Sequence, residues 1–285
     1  MYAFRPFRNQ APIPIMSPEL FLLVVLAGVV TGVLGALLGI GGGIFLIPVL
    51  VIGFALPMHE AVAASVITII ATSSTAAAVY VDKGISNIRL GMSLEVMTTI
   101  GAVLGGLTAN YLPGDTLRKF FAVFLLAMAA LMISRLRKGA SAHIAYDPTA
   151  AISGRYFDEA ERREVRYSVR KLGASMAVSL LAGNISGLLG VGGGLIKVPV
   201  MHIISGVPMK AATATSNFMI GVTAVASAFI YFSHGNVNPL YTAAAVLGVL
   251  GGSMLGTRLG ARIKSMWLML LFVLLLLATA VRMFV

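Results

Sequence analysis

Cysteine is absent from all 285 residues, which removes disulfides, thiolate metal sites and thiol nucleophiles from consideration. Charge is scarce too. Only 11% of residues are charged, 21 basic against 10 acidic, while 58% are hydrophobic. Soluble domains run at about 25% charged and roughly 45–50% apolar residues, and the mean hydropathy here is +0.95. That much apolar surface exceeds what one soluble core hides, so lipid is expected to be the solvent for most of the chain. The four histidines, 59, 143, 202 and 234, are scattered, with no H-E-x-x-H and no paired carboxylates inside an apolar run. A membrane-embedded hydrolase or metalloenzyme lacks its parts, so neither catalysis nor a metal or cofactor is expected. No phosphate-binding P-loop occurs, so ATP hydrolysis in this chain drives nothing.

The net charge of +11 resembles a nucleic-acid signature, but 20 of the 21 basic residues flank apolar runs. That is the distribution of a membrane protein, and no nucleic-acid partner is inferred. The opening MYAFRPFRNQAPIPIM lacks a small-residue cleavage pattern, and no removable signal peptide is read.

Long apolar runs occupy Pro18–Gly39, Glu60–Val81, Met92–Leu112, Phe120–Ile133, Leu172–Gly190, Ala211–Phe232, Pro239–Leu255 and Met266–Ala280. At about 1.5 Å per residue most of these can cross a hydrocarbon layer of roughly 30 Å. Ile44–Leu56 and Leu195–Val207, 13 residues each, are too short to do so. Each follows a triple glycine, Gly41–Gly43 or Gly192–Gly194, and glycine runs interrupt helices. Bare backbone at membrane depth survives only where protein or a polar cavity surrounds it. Ten helical segments are therefore expected, two of them half-helices.

The halves repeat at a constant offset of 151 residues: GVLGALLGIGGGIFLIPV from Gly32 aligns without a gap on GNISGLLGVGGGLIKVPV from Gly183. Between Gly39 and Ser65, 12 of 27 aligned positions are identical, including three consecutive glycines and two prolines. Apolar bias alone does not align such punctuation. The chain is read as an N-terminal tail (1–17), a first membrane repeat (18–136), a cytoplasmic linker (137–170) and a second membrane repeat (171–285). The expected fold is an all-α integral membrane protein with two homologous, inverted repeats of five segments each. Five is odd, so the second repeat enters the membrane upside down if each triple glycine reverses the chain. Basic residues then divide five to fifteen, which makes the linker side cytoplasmic and both termini external. Eight continuous spans give a similar charge split. However, Pro18–Leu56 as one helix would be about 58 Å long, too long for one crossing. Within the linker, Gly154–Gly173 mixes Tyr156, Phe157, Val165 and Val169 with dense charge and is read as a helix, amphipathic on the membrane or simply a connector.

Duplicated halves with a glycine break in each fit a secondary transporter whose substrate sits at the repeat interface. A helix N-terminus offers unpaired N–H groups and about half a positive charge, and successive glycine N–H groups can form an anion nest. Gly41, Gly42, Gly43, Gly192, Gly193 and Gly194 are the candidate anion cradle. Gly35, Gly39, Gly101 and Gly105 are read as helix-packing sites. Lys197 is the sole Lys or Arg inside a predicted membrane segment, and it lies at the positive end of its half-helix. A cation there needs a negative companion, which an anionic substrate supplies. Asn184, Ser186, Ser65, Thr68, Thr213, Thr215, Ser216 and Asn217 cluster near the breaks, and Asn184, Ser65, Thr215, Ser216 and Asn217 are candidate substrate donors. His202 is either a packed neutral imidazole or a proton carrier. Glu95 is read as interfacial, with proton coupling as the alternative. An anion channel or a carrier of cations or other solutes is the rival reading, although neither half-helix contains an acidic residue.

On these residues the chain resembles the sulfite exporter TauE/SafE family. The duplicated G-x-x-G-x-x-x-G-x-G-G-G-x-x-x-x-P pattern runs from Gly32 to Pro48 and, with Ser186 for the second glycine, from Gly183 to Pro199. Pro57 to Ser65 and Pro208 to Ser216 extend it. The resemblance implies transport of sulfur oxyanions and organosulfonates, with protons as a possible coupling ion, in a bacterial inner membrane; it does not carry over the particular anion, the direction or an oligomeric state.

Overall fold

The computed structural model describes residues 16–138, 146–147, 149–158, 162–259, 273–274, 277 and 280–281. The described chain is mostly helical: α1 (Pro18–Leu38), α2 (Gly43–Pro48) with a π-helical turn Val49–Gly53, α3 (Met58–Asp82), α4 (Ile88–Tyr111), α5 (Gly114–Lys138), α6 (Leu172–Leu189), α7 (Gly194–Ile203), α8 (Met209–Ser233) and α9 (Pro239–Leu259). Six of them, α1, α3, α4, α6, α8 and α9, are long and apolar enough to cross a membrane. The run Phe120–Ile133 falls within α5. Most of the last expected run, Met266–Ala280, lies outside the described residues.

Local sequence explains the boundaries. Ser17 accepts from the Leu20 N–H, with Pro18 opening α1, and Asn87 likewise accepts from Leu90 N at 3.0 Å to cap α4. Pro57 and Pro208 precede α3 and α8 with the same backbone, φ −54° and ψ 143°. Gly39 and Gly190 end α1 and α6 in the left-handed conformation, φ +70° and +68°. Gly39 is thus a helix cap as well as a packing glycine, with a Cβ there 2.5 Å from Thr213 Cγ2 of α8.

At each triple glycine the chain turns back. Gly41 and Gly42 have φ of +80° and +77°, and Gly192 and Gly193 of +74° and +67°, conformations that favour glycine. A Cβ on Gly42 would lie 2.6 Å from the Thr31 carbonyl oxygen. Eleven residues of continuous helix would separate these two by about 16 Å, so α2 does not prolong α1. Gly35 packs against this return, where a Cβ would lie 2.3 Å from Gly42 N.

The long helices exchange partners between the halves. α1 packs along α9, α4 along α6, and α3 against α8. Glycines make the first two seams. Added Cβ atoms would lie 2.7 Å from Val249 O at Gly32 and 2.1 Å from Val29 O at Gly252; at Gly183 and Gly101, their counterparts 151 residues away, the distances are 2.0 Å to Thr98 O and 2.1 Å to Leu180 O. Without side chains the backbones approach closely, the main route to helix association where lipid removes the hydrophobic drive. Leu22, Leu26 and Val30 of α1 and Val96, Ile100 and Leu107 of α4 point outward from these seams, an apolar surface suited to acyl chains.

The linker departs from the expected helix, and from an all-α fold. Ser153–Asp158 and Arg163–Ser168 form an antiparallel hairpin, β1 and β2, pairing Tyr156 with Val165 and Gly154 with Tyr167. Val165, Tyr167 and Val169 alternate with Glu164, Arg166 and Ser168. Such a period of two presents one face to a core, whereas a helix would scatter these residues around its circumference. That face packs with Leu90 and Leu94 of α4, Val198 and Met201 of α7, and Ala211, Ala212 and Met219 of α8. Lys210 Nζ donates to Asp158 Oδ1 at 2.6 Å, and Asn87 Nδ2 donates to the Tyr167 hydroxyl at 3.2 Å.

Candidate functional site

The two glycine breaks meet. Ser65 of α3 donates its hydroxyl to Gly190 O at 2.6 Å, and Ser216 of α8 donates to Gly39 O at 3.1 Å. Ser65 and Ser216 correspond in the repeat, as do Gly39 and Gly190, so each half closes the break of the other. A Cβ on Gly43 would lie 2.7 Å from Gly190 O, and one on Gly194 would lie 2.5 Å from Gly39 O. Both positions therefore exclude any larger residue.

The breaks are covered rather than open. Around Gly41, Ile69 and Ile220 side-chain atoms come within 3.0 and 3.1 Å of a Cβ position, and Ile69 also lies 3.3 Å from that of Gly192. These two isoleucines are themselves repeat counterparts and are fully buried.

Lys197 occupies the first turn of α7, 1% exposed. Its Nζ lies 3.3 Å from Glu95 Oε2 and 2.9 Å from Thr223 Oγ1. Thr223 in turn donates to Glu95 Oε1. The Thr98 and Thr99 hydroxyls lie 3.2 and 3.3 Å from the two carboxylate oxygens. Removing one partner of such a buried pair typically costs about 3–5 kcal/mol, because the other charge stays behind. The negative companion expected for Lys197 is thus supplied by the protein itself. Glu95 is 4% exposed, in the second turn of α4, and is enclosed by protein.

The pair adjoins the second break. A Cβ on Gly193 would lie 3.4 Å from Lys197 Cε, so the lysine shaft runs beside the glycine. Gly193 O also accepts from Lys197 N at 3.0 Å, within the first turn of α7.

The other sequence candidates have structural partners. The Thr215 hydroxyl accepts from Asn87 N at 2.9 Å, joining α8 to the start of α4. Asn217 donates to Thr213 O at 3.2 Å, and its buried Oδ1 has no hydrogen-bond partner among the described residues. The backbone of Asn184 fits against Gly101 and Gly105 of α4, with its side chain half-buried. His202 Nδ1 contacts Val207 O at 2.8 Å, closing the loop after α7. Gly101 and Gly105 are packing glycines, as the sequence suggested.

Thr223, Thr98 and Thr99 went unnoticed in the sequence. The signal was present: Ser216, Thr223 and Ser227 recur at spacings of seven and four on apolar α8, all fully buried or nearly so, which puts polar groups on one inward face.

The family profile described as sulfite exporter TauE/SafE matches residues 24–283, nearly the whole chain. The chain belongs to the TauE/SafE family. It is 24% identical over 254 residues to the "Probable membrane transporter protein YunE" of Bacillus subtilis, covering 86% of this chain and 90% of that protein. A "Probable membrane transporter protein" of Xylella fastidiosa is 26% identical over 252 residues, 88% of each chain. YdhB of Bacillus subtilis, another "Probable membrane transporter protein", is 23% identical over 247 residues, 86% of this chain and 91% of its own length. No solved structure matches the chain. Membership of a transporter family agrees with the expected membrane transport role rather than catalysis.

Proposed function

We propose that this TauE/SafE protein is a secondary transporter of a small anion, a sulfur oxyanion or organosulfonate, bound where the two glycine breaks meet. The observation that carries the reading is the meeting of the breaks beside one buried lysine: Gly192–Gly194 open α7 alongside Lys197, and the two breaks are tied together by the Ser65 bond to Gly190 O and the Ser216 bond to Gly39 O. First-turn N–H groups and an ammonium favour negative charge. Ser65, Ser216, Thr215, Asn184 and Asn217 frame the site and become donors when the breaks part. His202 and Glu95 are the candidate proton groups, and Glu95 is the better placed of the two.

The exchange of α1 and α9 between halves, mirrored by α6 and α4, is what two homologous repeats produce; that the membrane repeats 18–136 and 171–285 are inverted and joined by a cytoplasmic linker in an inner membrane rests on their odd segment count and on the basic-residue distribution. Alternating access then follows from parting the crossed breaks, with Ile69 and Ile220 moving aside. The reading is tested by thermal unfolding of the purified protein with sulfite, sulfate, taurine, methanesulfonate, carboxylates and cations. A ligand held by the folded state raises its stability. Stabilisation by sulfur anions and not by cations is expected; stabilisation by cations alone would overturn the reading. Because the native chain has no cysteine, Ser153→Cys and Met283→Cys report topology, and labelling from the same side would refute the inverted arrangement.

A further inference from the structure

Glu95 and Lys197 form a closed electrical unit. Both are buried, and the geometry joins them directly and through Thr223, which accepts from Lys197 and donates to Glu95. Two acceptors lie within hydrogen-bond distance of Nζ, leaving one of the three ammonium hydrogens without an acceptor among the described residues. That hydrogen belongs to a side chain lying against Gly193.

We infer that Glu95 and the transported anion compete for the Lys197 ammonium, so that the carrier takes up one proton with each monovalent anion. The inference rests on the anion reading above and gives its site a charge rule. With the site empty, carboxylate and ammonium sum to zero. An anion entering beside the intact pair leaves one net negative charge buried, which low-dielectric surroundings penalise heavily. A proton from the bathing solution on Glu95 removes its claim on Nζ, and the anion takes that place. The loaded site, with neutral carboxyl, ammonium and monoanion, again sums to zero. Release on the other side returns the proton to water and restores the pair. A dianion cannot be balanced this way by one carboxyl and one ammonium, so monoanions are favoured.

No other ionisable group competes at this point among the described residues. α6 has no ionisable side chain along Leu172–Leu189. On α7, His202 faces Val207 O. On α8, Lys210 binds Asp158, and Tyr231 donates to Gly187 O. Arg89 of α4 is exposed. Of the hairpin groups packed on this region, Tyr167 bonds Asn87 and Tyr156 lies within the apolar cluster. By the repeat offset, Lys197, Glu95 and Thr223 correspond to Leu46, Val246 and Thr72. The charged unit therefore has no counterpart at the equivalent positions of the other repeat, which sets the stoichiometry at one.

The test uses the purified protein in liposomes with methanesulfonate, whose single charge does not change between about pH 5 and pH 8. Expected are one proton entering per anion, read by an internal pH dye, and a flux indifferent to an imposed membrane potential. Affinity should fall as the pH rises, by up to about tenfold per unit for one linked proton. Glu95→Gln, which mimics the protonated group, should bind methanesulfonate with a pH-independent affinity and move it without protons, now driven by the potential. Sulfate should be carried poorly. PH-independent affinity in the unaltered protein, or anion entry carrying one net charge, overturns the coupling while leaving anion transport intact. Failure of every sulfur anion to bind or move at any pH overturns both. Should Glu95→Gln not fold, the proton ratio and voltage response of the unaltered protein still decide.

Discussion

Replacing Gly101 with alanine tests the glycine seams directly. The added methyl carbon would lie 2.1 Å from Leu180 O and 2.8 Å from Asn184 N, both backbone atoms of α6 that no rotamer change can move. Relieving the closer contact needs α4 and α6 to part by about 1 Å. A gap of that size forfeits a quarter to a half of each van der Waals well along the seam. The seam also includes Gly105, Gly183 and Gly187, whose neighbours lie equally close, so the separation is felt over several turns. Overpacking of this kind costs about 1–3 kcal/mol. It outweighs the roughly 1 kcal/mol by which alanine favours helix over glycine. The control is Gly251 in α9, where no atom lies within 4 Å of an added Cβ; there only the helix propensity remains, and alanine should be neutral or stabilising. Melting temperature in detergent is the readout, with anion flux per folded molecule beside it. Gly101→Ala melting like Gly251→Ala would refute the seam.

Three further outcomes are expected. Gly42→Ala should damage folding more than Gly193→Ala, because its Cβ meets Thr31 O at 2.6 Å whereas at Gly193 the nearest atom is 3.2 Å away; Gly193→Ala should lower anion affinity more than melting temperature, the two being measured on the same preparation. Lys197→Ala should lose about 3–5 kcal/mol by stranding buried Glu95, and the double change Glu95→Gln with Lys197→Met should recover much of it in a thermal double-mutant cycle without restoring transport. Tyr167→Phe removes the bond to Asn87 and should cost about 1 kcal/mol of hairpin docking, read by hydrogen exchange across β1 and β2. Burial also pushes the Tyr167 hydroxyl above its ordinary value of 10.0. The folded state therefore holds that proton more tightly than the unfolded chain; docking should be intact below about pH 10 and weaken as the solution rises through the folded value.

Sequence pattern revealed the scaffold because its signals are periodic or repeated. Apolar length located the six spanning helices, and the glycine triplets located both breaks, since consecutive positive φ values at Gly41–Gly42 and Gly192–Gly193 tolerate little else. Partnership was not legible. Lys197 and Glu95 are 102 residues apart, and nothing local at Glu95 distinguishes a carboxylate facing lipid headgroups from one aimed across α4 at another helix. The serine candidates were located correctly as neighbours of the breaks, yet whether a hydroxyl meets a substrate or a carbonyl depends on how the halves cross. The hairpin was missed for a different reason. Dense charge drew attention to amphipathic helix, while the alternation of Val165, Tyr167 and Val169 carried the opposite message in only five residues.

The crossing of the repeats has a consequence for how the molecule holds together. The glycine face of α1 is complementary to α9, and that of α6 to α4, so neither half contains the partner of its own first helix. The serine bonds obey the same rule, each spanning to the break in the opposite half. Stability and site geometry therefore depend on the same inter-repeat contacts. A motion that parts the two breaks must stretch the Ser65 and Ser216 bonds while keeping the glycine seams closed. Hydroxyl-to-carbonyl bonds, worth about 0.5–1.5 kcal/mol each, are weak enough to exchange during a transport cycle, whereas backbone-to-backbone packing along several turns is not. This division favours rocking of the broken helices against two fixed seams over a wholesale separation of the halves.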